Sequence, residues 1–157
     1  MWNAVSYFEN LKNSLKLTKD YTFCRVTGLT YLEDVLAKFT KTISFFGVDD
    51  SDDGVTIQKG GAWFNRRAVV VYLLKKYKFQ NQENREEILN EIRPIYQKLL
   101  TRLIKDSNNM PDLYYWDKRR IPYHEVPGYF AAGTTGIYFI ITIEEPIELC
   151  YNGDDWE

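Results

Sequence analysis

Hydrophobic positions along this chain change period several times, and each change marks an element. Over residues 2–17, Trp2, Val5, Phe8, Leu11 and Leu15 recur every three or four positions, with Glu9, Lys12, Asn13 and Lys16 between them. That spacing predicts an amphipathic helix. The run Tyr21–Thr27 is rich in β-branched and aromatic residues and is closed by Gly28, as a strand would be. Leu32, Val35, Leu36 and Phe39 share one face of a short helix or turn over Tyr31–Lys38. Thr42–Val48 reads as a strand running into Asp49-Asp50-Ser51-Asp52-Asp53-Gly54, whose solvation and final glycine predict an exposed acidic hairpin tip.

After a second turn at Gly60-Gly61 comes the most apolar stretch, Trp63–Tyr77. Its centre, Ala68–Leu74, is apolar at every position and needs cover on both faces. A strand wholly inside the core meets that need. So does a helix on one face and a neighbouring subunit on the other, with Val69, Val70, Val71 and Tyr72 forming the inter-subunit strand. Asn84 followed by Glu87 makes a capping box. Ile88, Ile92, Ile95, Leu99 and Leu103 then form a helical stripe ending near Asp106, and Pro94 is expected to kink it. Ser107–Asp112 is a loop, and strands broken by Pro122, Pro127 and Gly128 follow. The clearest is Ile137–Ile143, with Ile137, Phe139, Ile141 and Ile143 on one face, and Pro146 is expected to turn the chain before a last short strand, Ile147–Tyr151. The pattern predicts an α+β fold: a mainly antiparallel sheet of four to six strands, an N-terminal helix and one long central helix packed against it. A single domain covers residues 1–157, with an acidic tail at 152–157.

Composition narrows the function classes. A chain of 157 residues that is 45% hydrophobic and 27% charged is globular rather than disordered. The net charge of −2 lacks the basic excess of a wholesale nucleic-acid binder. Cys24 and Cys150 have no CxxC partner, so neither a disulfide framework nor a zinc site is expected, and reduced cytoplasmic thiols fit better. No apolar run is long enough to span a bilayer, and the N-terminus lacks the basic start and apolar core of a signal peptide. Twelve Tyr, nine Phe and four Trp are enough to fill a core and leave some for an interface.

Candidate chemistry is sparse. Asp49 to Gly54 mimics the start of a calcium loop, but Gly60 stands where the bidentate glutamate belongs, so no metal is expected. His124 lies beside Glu125 with no nucleophile suggested nearby. Glu144-Glu145 are neighbours on a strand, which points them to opposite faces and away from a two-carboxylate site. Tyr114–Arg120 interleaves aromatics with bases, as single-strand binders do, although snorkelling surface bases give the same pattern. No constellation supports catalysis or a cofactor. Trp63, Phe64, Trp116 and Tyr129 lie in turn-flanked segments outside the regular stripes and are candidate interface anchors, while Trp156 docks on self or on a neighbour.

The order of elements resembles that of the tail-terminator and tail-completion (neck) proteins of long-tailed bacteriophages. The parallels are Val5–Leu15, Thr42–Val48, Arg67–Tyr72, Glu86–Leu103 and Gly136–Ile143, and they lie in architecture and length, since the family has no tight motif. Tyr31–Phe39 and the segment beyond Ile143 depart from that pattern. The resemblance implies a homo-hexameric ring in the virion, assembled in the host cytoplasm, that caps the tail tube and meets the head connector without catalysis. DNA passes through such a ring without specific binding, so Asp49, Asp50, Asp52 and Asp53 are expected to face the lumen or an axial neighbour, where carboxylates repel phosphate. Two other classes fit the residues: a monomeric adaptor or immunity-type binding module, and a single-strand nucleic-acid binder acting through Tyr114–Arg120.

Overall fold

The structure is a computed structural model that describes residues 2–51, 54–77, 81–113 and 115–156, with backbone alone for Leu29, Thr30, Gly128 and Tyr129. In chain order the elements are α1 (Ala4–Ser14), β1 (Thr22–Val26), α2 (Leu29–Lys38), β2 (Ser44–Asp49), β3 (Gly54–Lys59), β4 (Ala62–Lys76), α3 (Gln82–Ser107), β5 (Tyr123–Phe130) and β6 (Thr134–Ile147). The strands form one sheet in the order β1-β2-β4-β6-β5, with β3 also paired to β4. Among the described residues β1 and β2 alone pair in parallel, and α2 supplies the crossover that a parallel pair needs. The α+β architecture, the N-terminal helix and the long central helix are as the periodicity predicts.

The sheet is built around β4. Its second half pairs with β2 and its first half with β3, so β2 and β3 lie end to end along one edge of it. Its other edge pairs with β6 from Trp63↔Ile147 to Lys76↔Thr134. Alternation then divides its side chains. Val69, Val71 and Leu73 join Phe139, Ile141 and Ile143 beneath Phe8 of α1 and Ile88, Ile92 and Leu99 of α3. Tyr72 and Leu74 face the other way, with Phe45 and Val26, beneath Leu32 and Leu36 of α2. The stretch Ala68–Leu74 is therefore covered from within. Both lateral edges of β4 carry strands of the same chain, so Val69 to Tyr72 cannot form a backbone ladder with another subunit. This corrects the inter-subunit strand expected there.

Several local expectations also change. The acidic run is not a hairpin tip. The turn of the hairpin is Gly60-Gly61, with φ of 59° and 82°, and Asp50 and Ser51 lie where β2 gives way to β3. The strand Gly54–Lys59 escaped the sequence reading because it alternates too few apolar residues to stand out. Helix α3 starts one turn before the expected cap, because Asn81 accepts a hydrogen bond from the Asn84 amide at 3.0 Å. It runs through Pro94 without interruption, with Ile92 and Ile95 both in the core. At the other end β6 continues through Pro146 to Ile147, and residues 148–152 form no strand. Pro146 is tolerated because β5 covers β6 only as far as Phe139, so among the described residues one edge of the strand is open there.

Gly136 has a φ of 150° near the start of β6, between Leu74 of β4 and Val126 of β5. A Cβ there would lie 1.9 Å from the Leu73 carbonyl oxygen. Gly136→Ala is expected to lower stability by more than ~3 kcal/mol, read as a loss of denaturant midpoint, or to prevent folding.

Candidate interaction surface

Strand β3, the first half of β4 and the end of β6 form a three-stranded arm beyond the helical layers. Trp63 and Phe64 show how the arm divides. Phe64 is buried, with its ring 5.4 Å from Tyr115, whereas Trp63 stays 37% exposed on the opposite face beside Ile147. Trp116 is buried in the main core, at 4% exposure. Of the expected anchors, only Trp63 is free to meet a partner. Phe64 and Trp116 serve this chain's own packing, and the Tyr129 side chain is outside the described residues.

Charge pairing organises the base of the arm. Glu144 accepts from Arg66 Nη2 at 2.5 Å and from Lys59 Nζ at 3.1 Å on one face. Glu145, its neighbour, points to the other face. It accepts from the Trp2 amide at 2.7 Å and pairs with Arg67 at 3.5 Å, while Arg67 also donates to the Trp2 carbonyl. The expected splitting of this acidic pair across the sheet is what the structure has. Arg66 and Lys59 hold the Glu144 carboxyl below its ordinary value, with burial opposing them.

The acidic loop has a different job from the one expected. Asp49 is buried. Its carboxylate accepts from the Gly28 amide at 3.0 Å, and from the Ser51 amide at 2.9 Å and hydroxyl at 2.6 Å. It thus ties the start of α2 to the end of β2. Asp50 accepts from Arg25 through both oxygens, at 3.3 and 3.2 Å. Neither is a free carboxylate facing a channel, which corrects the lumen assignment for both. Asp52 and Asp53 are outside the described residues. The two hydrogen bonds from Ser51 could have been anticipated from its place two residues after Asp49, as in an Asx turn, whereas the one from Gly28 depends on tertiary contact.

Elsewhere the catalytic candidates are occupied. His124 stacks on Tyr138, with ring centroids 4.9 Å apart, while Glu125 is bound to Arg93 at 2.7 and 3.1 Å and does not orient the imidazole. Arg93 holds the Glu125 carboxyl below its ordinary value. In the basic segment, Trp116 is buried and Arg119 pairs with Asp117 at 3.6 Å, while Tyr114 is outside the described residues. Among the described residues no group of three His, Cys, Asp or Glu side chains could hold a metal, and no helix is long and apolar enough to cross a membrane. A shallow cleft of about 530 Å³ lies at the base of the arm, lined by Asn65, Pro111, Tyr115, Glu144 and Ile147.

Beyond β6 the chain is uncovered. Leu149, Tyr151 and Trp156 are 57%, 81% and 69% exposed, and Tyr151 stacks on Trp156 with centroids 6.3 Å apart. Asn152 caps a single turn, Gly153–Asp155, that buries nothing. Trp156 therefore rests on its own tail and not on the body of the domain. The chain matches no protein-family model and no curated protein sequence.

These contacts set three expected outcomes. Asp49→Ala leaves the Gly28 and Ser51 donors without their acceptor and should cost about 1–3 kcal/mol in urea unfolding. Folding lowers the Glu144 pKa from 4.5, so its stabilisation is full above that value and disappears as pH falls through the lowered one. The stability advantage of the native chain over Glu144→Gln should accordingly be present at neutral pH and vanish in acid. Burial pushes the Cys24 thiol up to about 11, whereas Cys150 is exposed. Ellman's reagent should titrate one thiol in the native protein and the second only on unfolding.

Proposed function

We propose that this chain is a structural subunit of a phage neck or tail, acting by self-association and by docking on adjoining rings, with no turnover. In this reading copies form a ring, a hexamer by resemblance, that caps the tail tube and meets the head connector while DNA passes without specific binding. The observation that carries it is the arm. Its strand β3 is exposed along almost its whole length, and Trp63 is uncovered beside Ile147, where the tail that carries the exposed Leu149, Tyr151 and Trp156 begins. Large exposed apolar and aromatic side chains of this kind support an interaction role. The carboxylates weighed for chemistry, Glu125, Glu144 and Glu145, are bound to Arg93, Arg66 and Arg67, which suits a packing role. Anchoring passes from the residues first expected to Trp63 and the tail, and DNA repulsion no longer rests on Asp49 or Asp50.

The adaptor reading shares this surface and differs only in the partner. The single-strand binder has less support, since Trp116 is buried and Arg119 is paired.

Light scattering across a concentration series, with negative-stain imaging of the species formed alone and on purified tail tubes, tests the proposal. Rings or ring-sized oligomers are expected; a monomer under all these conditions would instead favour the adaptor. Trp63→Ala should weaken that association about tenfold or more, as loss of an interface aromatic does, with little change in melting temperature. Earlier melting with intact assembly would place Trp63 among the folding contacts.

A further inference from the structure

The six residues of β3 pair with β4 on one side, and among the described residues nothing pairs with the other. Proteins normally blunt such an edge with proline, a bulge, inward charge or a covering element. The opposite margin of the sheet follows that rule: β5 carries Pro127 and a register shift between Val126 and Phe130. The margin at β1 is five residues long and touches both α1 and α2. Strand β3, Gly-Val-Thr-Ile-Gln-Lys, has none of these devices before its last residue.

The geometry of the turn fixes which of its backbone groups are free. A two-residue turn with positive φ at both Gly60 and Gly61 makes Lys59 and Ala62 a hydrogen-bonded pair. Alternation along an antiparallel ladder then turns the amides and carbonyls of Gly54, Thr56 and Gln58 outward. Thr56 and Asn65, a non-bonded pair on this count, sit close enough for their side chains to bond at 2.8 Å.

We propose that this edge accepts the C-terminal segment of a second copy as an added strand, beginning near Glu148. The proposal rests on the self-association reading above and names the contact that carries it. The segment Glu148–Trp156 lies outside every helix and strand except one unsupported turn, so its backbone is available. Leu149 and Tyr151 alternate with Glu148, Cys150 and Asn152 and would place both apolar side chains on one face. Charge favours the match. Residues 148–157 carry four carboxylates and no base, while residues 54–67 carry Lys59, Arg66 and Arg67 and no acid. Glu144 and Glu145 offset two of those three bases, which leaves the arm positive and the tail strongly negative. Main-chain bonds would supply the binding and the alternating side chains its register, as in other strand-addition complexes.

Cys150 supplies a native probe. Chains carrying Thr56→Cys or Gln58→Cys, each with Cys150→Ser and an affinity tag, are mixed with the untagged native chain and oxidised gently. The expected product is a tagged–untagged disulfide dimer for at least one position, absent when the cysteine is placed on α1 as Lys12→Cys. Thr56→Pro removes one outward amide and no β3–β4 backbone bond, and loses only the exposed Thr56–Asn65 side-chain bond. It should abolish the cross-linked dimer in a Thr56→Pro, Gln58→Cys chain while circular dichroism stays unchanged and melting matches that of Thr56→Ala, which loses the same side-chain bond. Oligomers that persist in Thr56→Pro and give no mixed disulfide would overturn strand addition but leave self-association standing. The Thr56→Cys and Gln58→Cys chains are also oxidised alone with Cys150 retained. Closure of Cys150 onto the introduced thiol within one chain, without mixed dimers, would show the tail folding back on its own edge and overturn exchange between copies. A native chain that stays monomeric and forms no mixed disulfide would overturn both proposals.

Discussion

The paired saturation of β4 is the constraint on which the rest of this fold depends. One fifteen-residue strand holds two partners end to end along one edge and a single long partner along the other. Because its middle is apolar on both faces, it must lie between two layers, and α1 with α3 on one side and α2 on the other provide them. The helices are placed by that need. Truncating a large side chain in this layer, such as Leu73 or Phe139, would open a cavity at a typical cost of ~2–5 kcal/mol.

The same strand explains why the molecule has two distinct ends. Where helices cover the sheet, alternation is buried on both sides. Beyond them, from Ala62 to Arg67, only strands and the Tyr115 loop remain, and polar pairing replaces packing. Tyr7 shows how tightly the covered end is closed. Its hydroxyl donates to Asp106 at 2.9 Å, joining α1 to the end of α3, and burial with that bond raises its pKa. At the start of the uncovered end the tie comes from Trp2, whose amide donates to Glu145 and whose carbonyl accepts from Arg67.

The periodic elements were legible in the amino-acid sequence because each buries one stripe. The stripe from Ile88 to Leu103 and the row Ile137, Phe139, Ile141 and Ile143 are buried as their spacing predicts. What failed were features set by tertiary context. Gly54–Lys59 is a strand because β4 offers it an edge, and its own residues carry little period. Phe64 and Trp116 looked free because they lie outside stripes, yet a loop following a helix brings Tyr115 and Trp116 back onto the sheet. Asp49 and Asp50 looked solvated as members of an acidic run, whereas Gly28, Ser51 and Arg25, two of them over twenty residues away, bind them. Trp63 was legible because it lies outside the regular stripes, whereas the sequence left Trp156 open between self and neighbour, and in the structure it stacks on Tyr151 and stays exposed.

The adjacent glutamates near the end of β6 have a consequence for how the two longest strands stay together. Over the covered region, apolar alternation resists a one-residue slip, since a slip would turn greasy side chains to water. Toward the arm that penalty fades. There Arg66 meets Glu144 above the sheet and Arg67 meets Glu145 below it. A shift of one place would only exchange the counter-ions, since Arg66 would then share a face with Glu145 and Arg67 with Glu144. Alignment is therefore inherited from the oily stretch, and the two ion pairs act as staples, one above and one below, that hold the strands together where oil and water no longer do.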